Sequence, residues 1–120
     1  MQEHYMKLNK MPFEKIKSGE KVIEIRCNDE KRKKLRIGDV IIFSLVNGYE
    51  TIKVQVEDLY HFSTFRELYL EFDFKEFGCE GYTMRQMLDE TALIYSPDKE
   101  RKYGALGIKI SVVGAERENI

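Results

Sequence analysis

Along residues 51–57, Ile52, Val54 and Val56 alternate with Thr51, Lys53, Gln55 and Glu57. A period of two sends one set to a buried face and the other to solvent, as a half-buried strand requires. Asn47-Gly48 stands just before it, and both residues tolerate the positive φ of a tight hairpin turn. The partner strand is then Val40-Ile41-Ile42-Phe43, a continuous apolar run led in by Gly38-Asp39, as expected of a largely buried strand. Three more strands are predicted: a short first one at Tyr5–Leu8, one at Lys21–Cys27, and a closing one at Tyr103–Val113. Gly104 and Gly107 in the last mark a bulge or a close approach.

Helical spacing is confined to shorter stretches. Pro12 opens a helix carrying Phe13 and Ile16, and Gly19 closes it. Asn28 is placed to cap a short turn of helix running to Leu35. Thr64-x-x-Glu67 and Thr83-x-x-Gln86 read as capping boxes. The first leads into Phe65, Leu68 and Tyr69, the second into Met84, Met87, Leu88 and Thr91. Five strands with helices inserted late define an α+β fold, a small, mostly antiparallel β-barrel with a few flanking helices. Its ligand site is expected on the rim, between barrel and helices. No repeat or linker interrupts the chain, so residues 1–120 read as a single domain.

Composition narrows the function classes. No apolar run approaches the ~20 residues of a membrane-spanning helix, and the opening MQEHYMKLNK lacks the apolar stretch of a secretory signal. Both point to the cytoplasm. Cys27 and Cys79 have neither a C-x-x-C spacing nor nearby histidines, and His4 and His61 stand apart, so neither a metal nor any other cofactor is expected. Met84 and Met87 are expected as core filler. Glu67–Glu80, interleaved with Phe72, Phe74 and Phe77, is either a flap over the rim or an ordinary amphipathic helix and loop. Charge is uneven: residues 1–36 carry eleven Lys/Arg against six Asp/Glu, residues 37–100 five against thirteen. A chain of net charge −1 will not coat nucleic acid indiscriminately, yet one basic face can meet a phosphate backbone.

The stretch richest in chemistry runs from Ser18 to Arg26. Glu24 and Arg26 lie two apart on a strand and share a face. Lys21 has the opposite parity and joins them only if the turn after Gly19 releases it from the alternation. Spacing alone leaves two readings, a surface ion pair across a solvent face or a polar reader of a base edge. In the second, the carboxylate accepts from an exocyclic amine and the guanidinium donates to carbonyl or phosphate oxygens. A second basic feature, Lys31, Arg32, Lys33, Lys34 and Arg36, is either a solvated face balanced by Asp29 and Glu30 or a set of phosphate contacts beside the site.

Gly19-x-Lys21-x-x-Glu24-x-Arg26 resembles the G-x-K-x-x-E-x-R signature of ASCH domains, which belong to the PUA-like barrels. Pro12-Phe13, Gly38-Asp39 and Tyr103-Gly104 with Gly107 stand where that family has their counterparts, so the resemblance spans essentially the whole chain. It implies a PUA-like barrel with a cleft that takes RNA, a nucleoside or a nucleotide. Lys21, Glu24 and Arg26 would line that cleft, with Tyr103 as a further ligand-binding residue. Some ASCH relatives are amidohydrolases acting on acetylated cytidine through a lysine, a threonine three residues later and a distant glutamate; others are ribonucleases. Lys21 fills the lysine position, but Glu24 stands where the threonine would be, which removes the hydroxyl nucleophile. The catalytic candidates under a hydrolytic alternative are Lys21 and Glu24.

Overall fold

The computed structural model describes residues 1–116, so the last four residues of the expected domain lie outside the described residues. The elements are β1 (Glu3–Leu8), α1 (Lys10–Lys17), β2 (Ile23–Cys27), β3 (Val40–Leu45), β4 (Thr51–Phe62), α2 (Phe65–Glu71), α3 (Met84–Ala92), α4 (Pro97–Tyr103) and β5 (Ala105–Glu116). Two 3₁₀ turns, Arg32–Lys34 and Phe74–Glu76, complete them. The five strands form a half-barrel in the order β1-β3-β4-β5-β2. Three pairings are antiparallel and β1–β3 is parallel. This is the expected α+β fold, a mostly antiparallel barrel-like sheet with flanking helices, with one qualification. Strand pairing does not close the sheet; β1 and β2 are its two edges.

Several boundaries differ from the sequence expectation, each for a local reason. The Asn47-Gly48 hairpin is present, with Asn47 at φ 60°, but β4 continues to Phe62 through an irregularity between Val56 and Asp58. The strand expected from Lys21 starts only at Ile23, because Lys21 makes an isolated bridge to Phe77 instead. Asn28 does not cap the following turn; Asp29 Oδ1 accepts from Arg32 N at 3.0 Å, and Asn28 Oδ1 is buried without a partner. The strand expected from Tyr103 starts at Ala105. Ser96 caps α4 through Lys99 N, Pro97 occupies its first turn, and Gly104 ends it at φ 76°. Ser96-Pro97 was a legible start signal for this helix.

The sheet has apolar layers on both faces. The concave side holds Met6, Leu8, Ile41, Phe43, Ile52, Val54, Leu106 and Ile108, covered by Phe13 and Ile16 of α1. Behind β2 and β5, a second cluster joins Ile23, Cys27 and Ala105 to Phe65, Leu68 and Tyr69 of α2 and Met87 of α3. Gly107 permits that close approach, since a Cβ there would lie 2.9 Å from Leu68 Cδ1. Thr83 and Gln86 complete a reciprocal capping box at the start of α3. Thr64 caps α2 by accepting from Glu67 N. The acidic stretch Glu67–Glu80 comprises most of α2 and the segment after it, in which Phe72 lies 4.7 Å from Tyr60 and 6.1 Å from Phe77, ring centre to ring centre.

Candidate functional site

The gap between the two sheet edges is bridged by side chains. In β1, Met6 and Leu8 turn inward and Tyr5 and Lys7 outward, and the outward residues aim their carbonyls away from β3. Arg26 Nη2 donates to Lys7 O at 3.0 Å, and Lys31 Nζ donates to Tyr5 O at 2.6 Å. Two cations thus satisfy the exposed carbonyls of the seam, groups that an open strand edge otherwise leaves unpaired. The Arg26 guanidinium also stands 6.0 Å above the Phe43 ring, at the top of the concave core.

Beside the seam lies a cleft of about 310 Å³, between the β1–α1 corner, the start of β2, and α3. Lys21, Glu24 and Arg26 form its polar floor; Tyr69, Phe77, Tyr82, Met87 and Tyr95 are among its walls. The bridge from Lys21 to Phe77 lifts Lys21 out of the strand alternation, so all three charged residues converge despite their mixed parity. Glu24 is 3% exposed, which makes this a buried ion-pair network rather than the surface pair that spacing allowed.

The carboxylate of Glu24 is held on both oxygens. Ile25 N donates to Oε1 at 3.2 Å and Lys21 Nζ lies 2.9 Å from the same oxygen. Arg26 Nε donates to Oε2 at 2.9 Å, and Nη2 lies 2.8 Å from it. Each oxygen therefore has one hydrogen bond and one close cation contact. Burial alone would raise the Glu24 pKa, but attraction to Lys21 and Arg26 and the hydrogen bonds from both outweigh it and bring it down to about 2. The carboxylate is therefore ionised and suited to positioning the cations. Both of its oxygens face protein donors and cations rather than an incoming ligand amine. Donor capacity remains on the cations. Lys21 Nζ uses one of its three N–H groups, and among the described residues nothing accepts from Arg26 Nη1.

The back wall carries its own hydrogen-bond chain. Thr91 Oγ1 donates to Met87 O at 2.7 Å, which commits its proton. The 2.6 Å contact between Tyr69 Oη and Thr91 Oγ1 is consequently a donation by the tyrosine, and the phenol oxygen is left as an acceptor. Burial pushes the pKa of Tyr69 up and that of the Cys79 thiol likewise, so both stay protonated at neutral pH. Lys15, at the rim, is committed to Gly78 O at 2.5 Å.

Of the residues expected from sequence, Lys21, Glu24 and Arg26 are brought together in the cleft. Tyr103 is not among its lining residues; it ends α4, packs on the second core cluster and has Lys102 Nζ 5.2 Å from its ring centre. Lys31, Arg32, Lys33, Lys34 and Arg36 also lie outside the cleft. Lys31 holds the seam, Arg32 pairs with Asp29 at 3.1 Å, Lys33 faces Glu30 at 3.5 Å, and Arg36 Nη1 donates to Lys33 O and Leu35 O. The wall residues Tyr69, Tyr82, Thr91 and Tyr95 had no chemical signature in the sequence beyond helical spacing and aromatic content. Among the described residues no group of His, Cys, Asp and Glu is arranged to hold a metal ion, and no helix is long and apolar enough to cross a membrane.

Fold and site together define a small α+β half-barrel whose open seam borders a cation-floored, aromatic-walled cleft. The chain belongs to the ASCH domain family, whose model matches residues 6–114. Three solved structures are similar to it. The crystal structure of hypothetical protein PH0355 superposes with a TM-score of 0.83 at 29% identity, covering 94% of this chain and all of that one. The solution structure of protein PF0455 from Pyrococcus furiosus gives 0.68 at 30% identity, covering 92% and 97%. A serine-to-alanine mutant of ZmASCH from Zymomonas mobilis gives 0.56 at 14% identity, covering 96% and 73%, a likeness of fold alone. No curated protein matches.

Proposed function

We propose that the whole chain acts as one ASCH domain that binds RNA or a nucleoside in the cytoplasm, with the ligand seated in the cleft on Lys21 and Arg26. One observation carries this reading: two cations, both with unspent donors, are fixed by a buried carboxylate at the floor of a pocket walled by aromatic rings. Rings of this kind stack on bases, and fixed cations take carbonyl or phosphate oxygens. The volume of about 310 Å³ lies at the small end of ligand pockets, fit for a single base or nucleoside. A longer RNA has a path outward along β1. Tyr5 O and Lys7 O, two residues apart on one strand edge, stand about 7 Å from each other. Lys31, where the basic run begins, is thus one strand repeat from Arg26.

Hydrolysis finds less support. Glu24 is paired with Lys21 and Arg26 and its pKa is depressed, which makes it a weak general base. The Thr91 hydroxyl is spent on a helix carbonyl. The test is a titration with nucleosides and short single-stranded RNAs, followed by NMR. Binding is expected to perturb Lys21, Arg26, Tyr69 and Tyr95, and Arg26→Ala should lower affinity about tenfold or more. Perturbations confined to another face would overturn the assignment, and sustained turnover of acetylated cytidine or RNA would reverse the preference for binding.

A further inference from the structure

We infer, resting on the reading just given, that the cleft selects a ligand edge made of oxygen acceptors, a uracil-type base rather than an amine-bearing cytosine-type one. Protons and lone pairs on the floor decide the preference. Glu24 is the carboxylate at this point, with Glu90 on the exposed α3 side of the cleft, and each Glu24 oxygen already holds one hydrogen bond, from Ile25 N or Arg26 Nε, and one close cation contact, from Lys21 or Arg26 Nη2. An exocyclic amine arriving at this point faces those donors and cations.

What the floor does offer is two N–H groups on Lys21 Nζ and the two on Arg26 Nη1. Lys15, which also lines the cleft along with Lys7, is held by Gly78 O and lies 4.0 Å from Glu20. With two cations against one carboxylate, the floor carries a net positive charge. A carbonyl oxygen placed between Lys21 and Arg26 completes both donors. An amine there would face like dipoles and leave buried donors unpaired, the costly case for a desolvated polar group. Tyr69 supplies the single complementary feature: its proton is committed to Thr91, so its oxygen can take one ring N–H. Uracil has two carbonyl oxygens flanking one ring N–H and fits this supply; cytosine carries an amine in place of one oxygen.

Oxygen acceptors also occur in a phosphate, and the test separates the two sources. Uridine, cytidine and ribose 5-phosphate are titrated separately into the full chain, read by calorimetry and by chemical shifts at Lys21 and Arg26. The expected result is that uridine binds about tenfold or more tightly than cytidine, with ribose 5-phosphate weaker than uridine. Lys21→Met should lower uridine affinity and erase most of the preference. Equal affinities for uridine and cytidine, with both shifting Lys21 and Arg26, would overturn the acceptor-edge inference while leaving the nucleoside cleft standing. Ribose 5-phosphate binding at least as tightly as uridine would assign the floor to phosphate and overturn the base-edge assignment. If all three leave Lys21 and Arg26 unmoved, the cleft itself is wrong, and the inference falls with it.

Discussion

The Lys21 and Arg26 side chains are 11% and 12% exposed and share a carboxylate that is 4% exposed, whereas Lys33 is 50% exposed and faces Glu30, 83% exposed, at 3.5 Å. The two basic regions are close in sequence, and the denser one is the less organised. Five basic residues in six look like the stronger electrostatic feature. In the fold, however, four of them are divided between the seam, Asp29, Glu30 and local carbonyls. Three charges spread over residues 21–26 form the network that water does not screen. Burial sets the worth of a charge here, because a desolvated ion must be paired and hydrogen-bonded, while an exposed pair contributes little.

Breaking the buried member should have the largest effect. Glu24→Gln leaves Lys21 and Arg26 facing each other without their counter-charge, and should cost about 3 to 5 kcal/mol of stability in urea unfolding. A loss below about 1 kcal/mol would mean that the network is solvated after all. Acid gives the same contrast a second readout. The folded pKa of Glu24 lies near 2 against its ordinary 4.5, a depression, so the stabilisation is fully present above pH 4.5 and is lost as pH falls toward 2. At about 1.4 kcal/mol per pKa unit it amounts to roughly 3 kcal/mol. Asp39, whose carboxylate accepts from Gln2 N, Arg36 N and His4, is shifted in the same direction. A melting curve from pH 7 to 2.5 should therefore fall steeply for the wild type and less steeply for Glu24→Gln. Parallel curves would remove Glu24 from the acid transition.

The smallest effects belong to the exposed run. Lys33→Ala with Lys34→Ala should change stability by no more than about 0.5 kcal/mol, as surface changes usually do. If the run contacts phosphates, the pair should flatten the slope of log RNA affinity against log salt by roughly one unit, since each phosphate on a single strand contributes about −0.7. Nucleoside affinity should stay nearly unchanged. Identical salt slopes for the two proteins would leave the run as a solvated face.

The polar floor was visible in the sequence and most of the walls were not, for a physical reason. Glu24 and Arg26 are two apart on one strand, so local periodicity alone places them together. The Asn47-Gly48 turn and the Thr83–Gln86 capping box are equally local and appear as expected. Tyr69, Tyr82, Tyr95 and Thr91 reach the cleft only because α2 and α3 pack behind β2, and nothing in their spacing names that partner. The parallel pairing of β1 with β3 was hidden for the same reason: alternation says which face is buried and not which strand lies alongside, or in which direction. Parity alone excludes Lys21 from the shared face, and a single bridge to Phe77, far along the chain, reverses that. Tyr103 ends a helix rather than opening the last strand, because Ser96-Pro97 starts α4 ahead of it.

The two cations on the carbonyls of Tyr5 and Lys7 also bear on how copies of this chain meet one another. An unprotected strand edge recruits other strands, and proteins commonly blunt it with lysine or arginine. Here the blunting residue Arg26 is itself part of the cleft floor, so one guanidinium serves both the free edge, through Nη2, and the cleft. A variant lacking that side chain loses its ligand contact and also uncovers a template for intermolecular β-pairing, and its first symptom in concentrated solution should be self-association rather than unfolding.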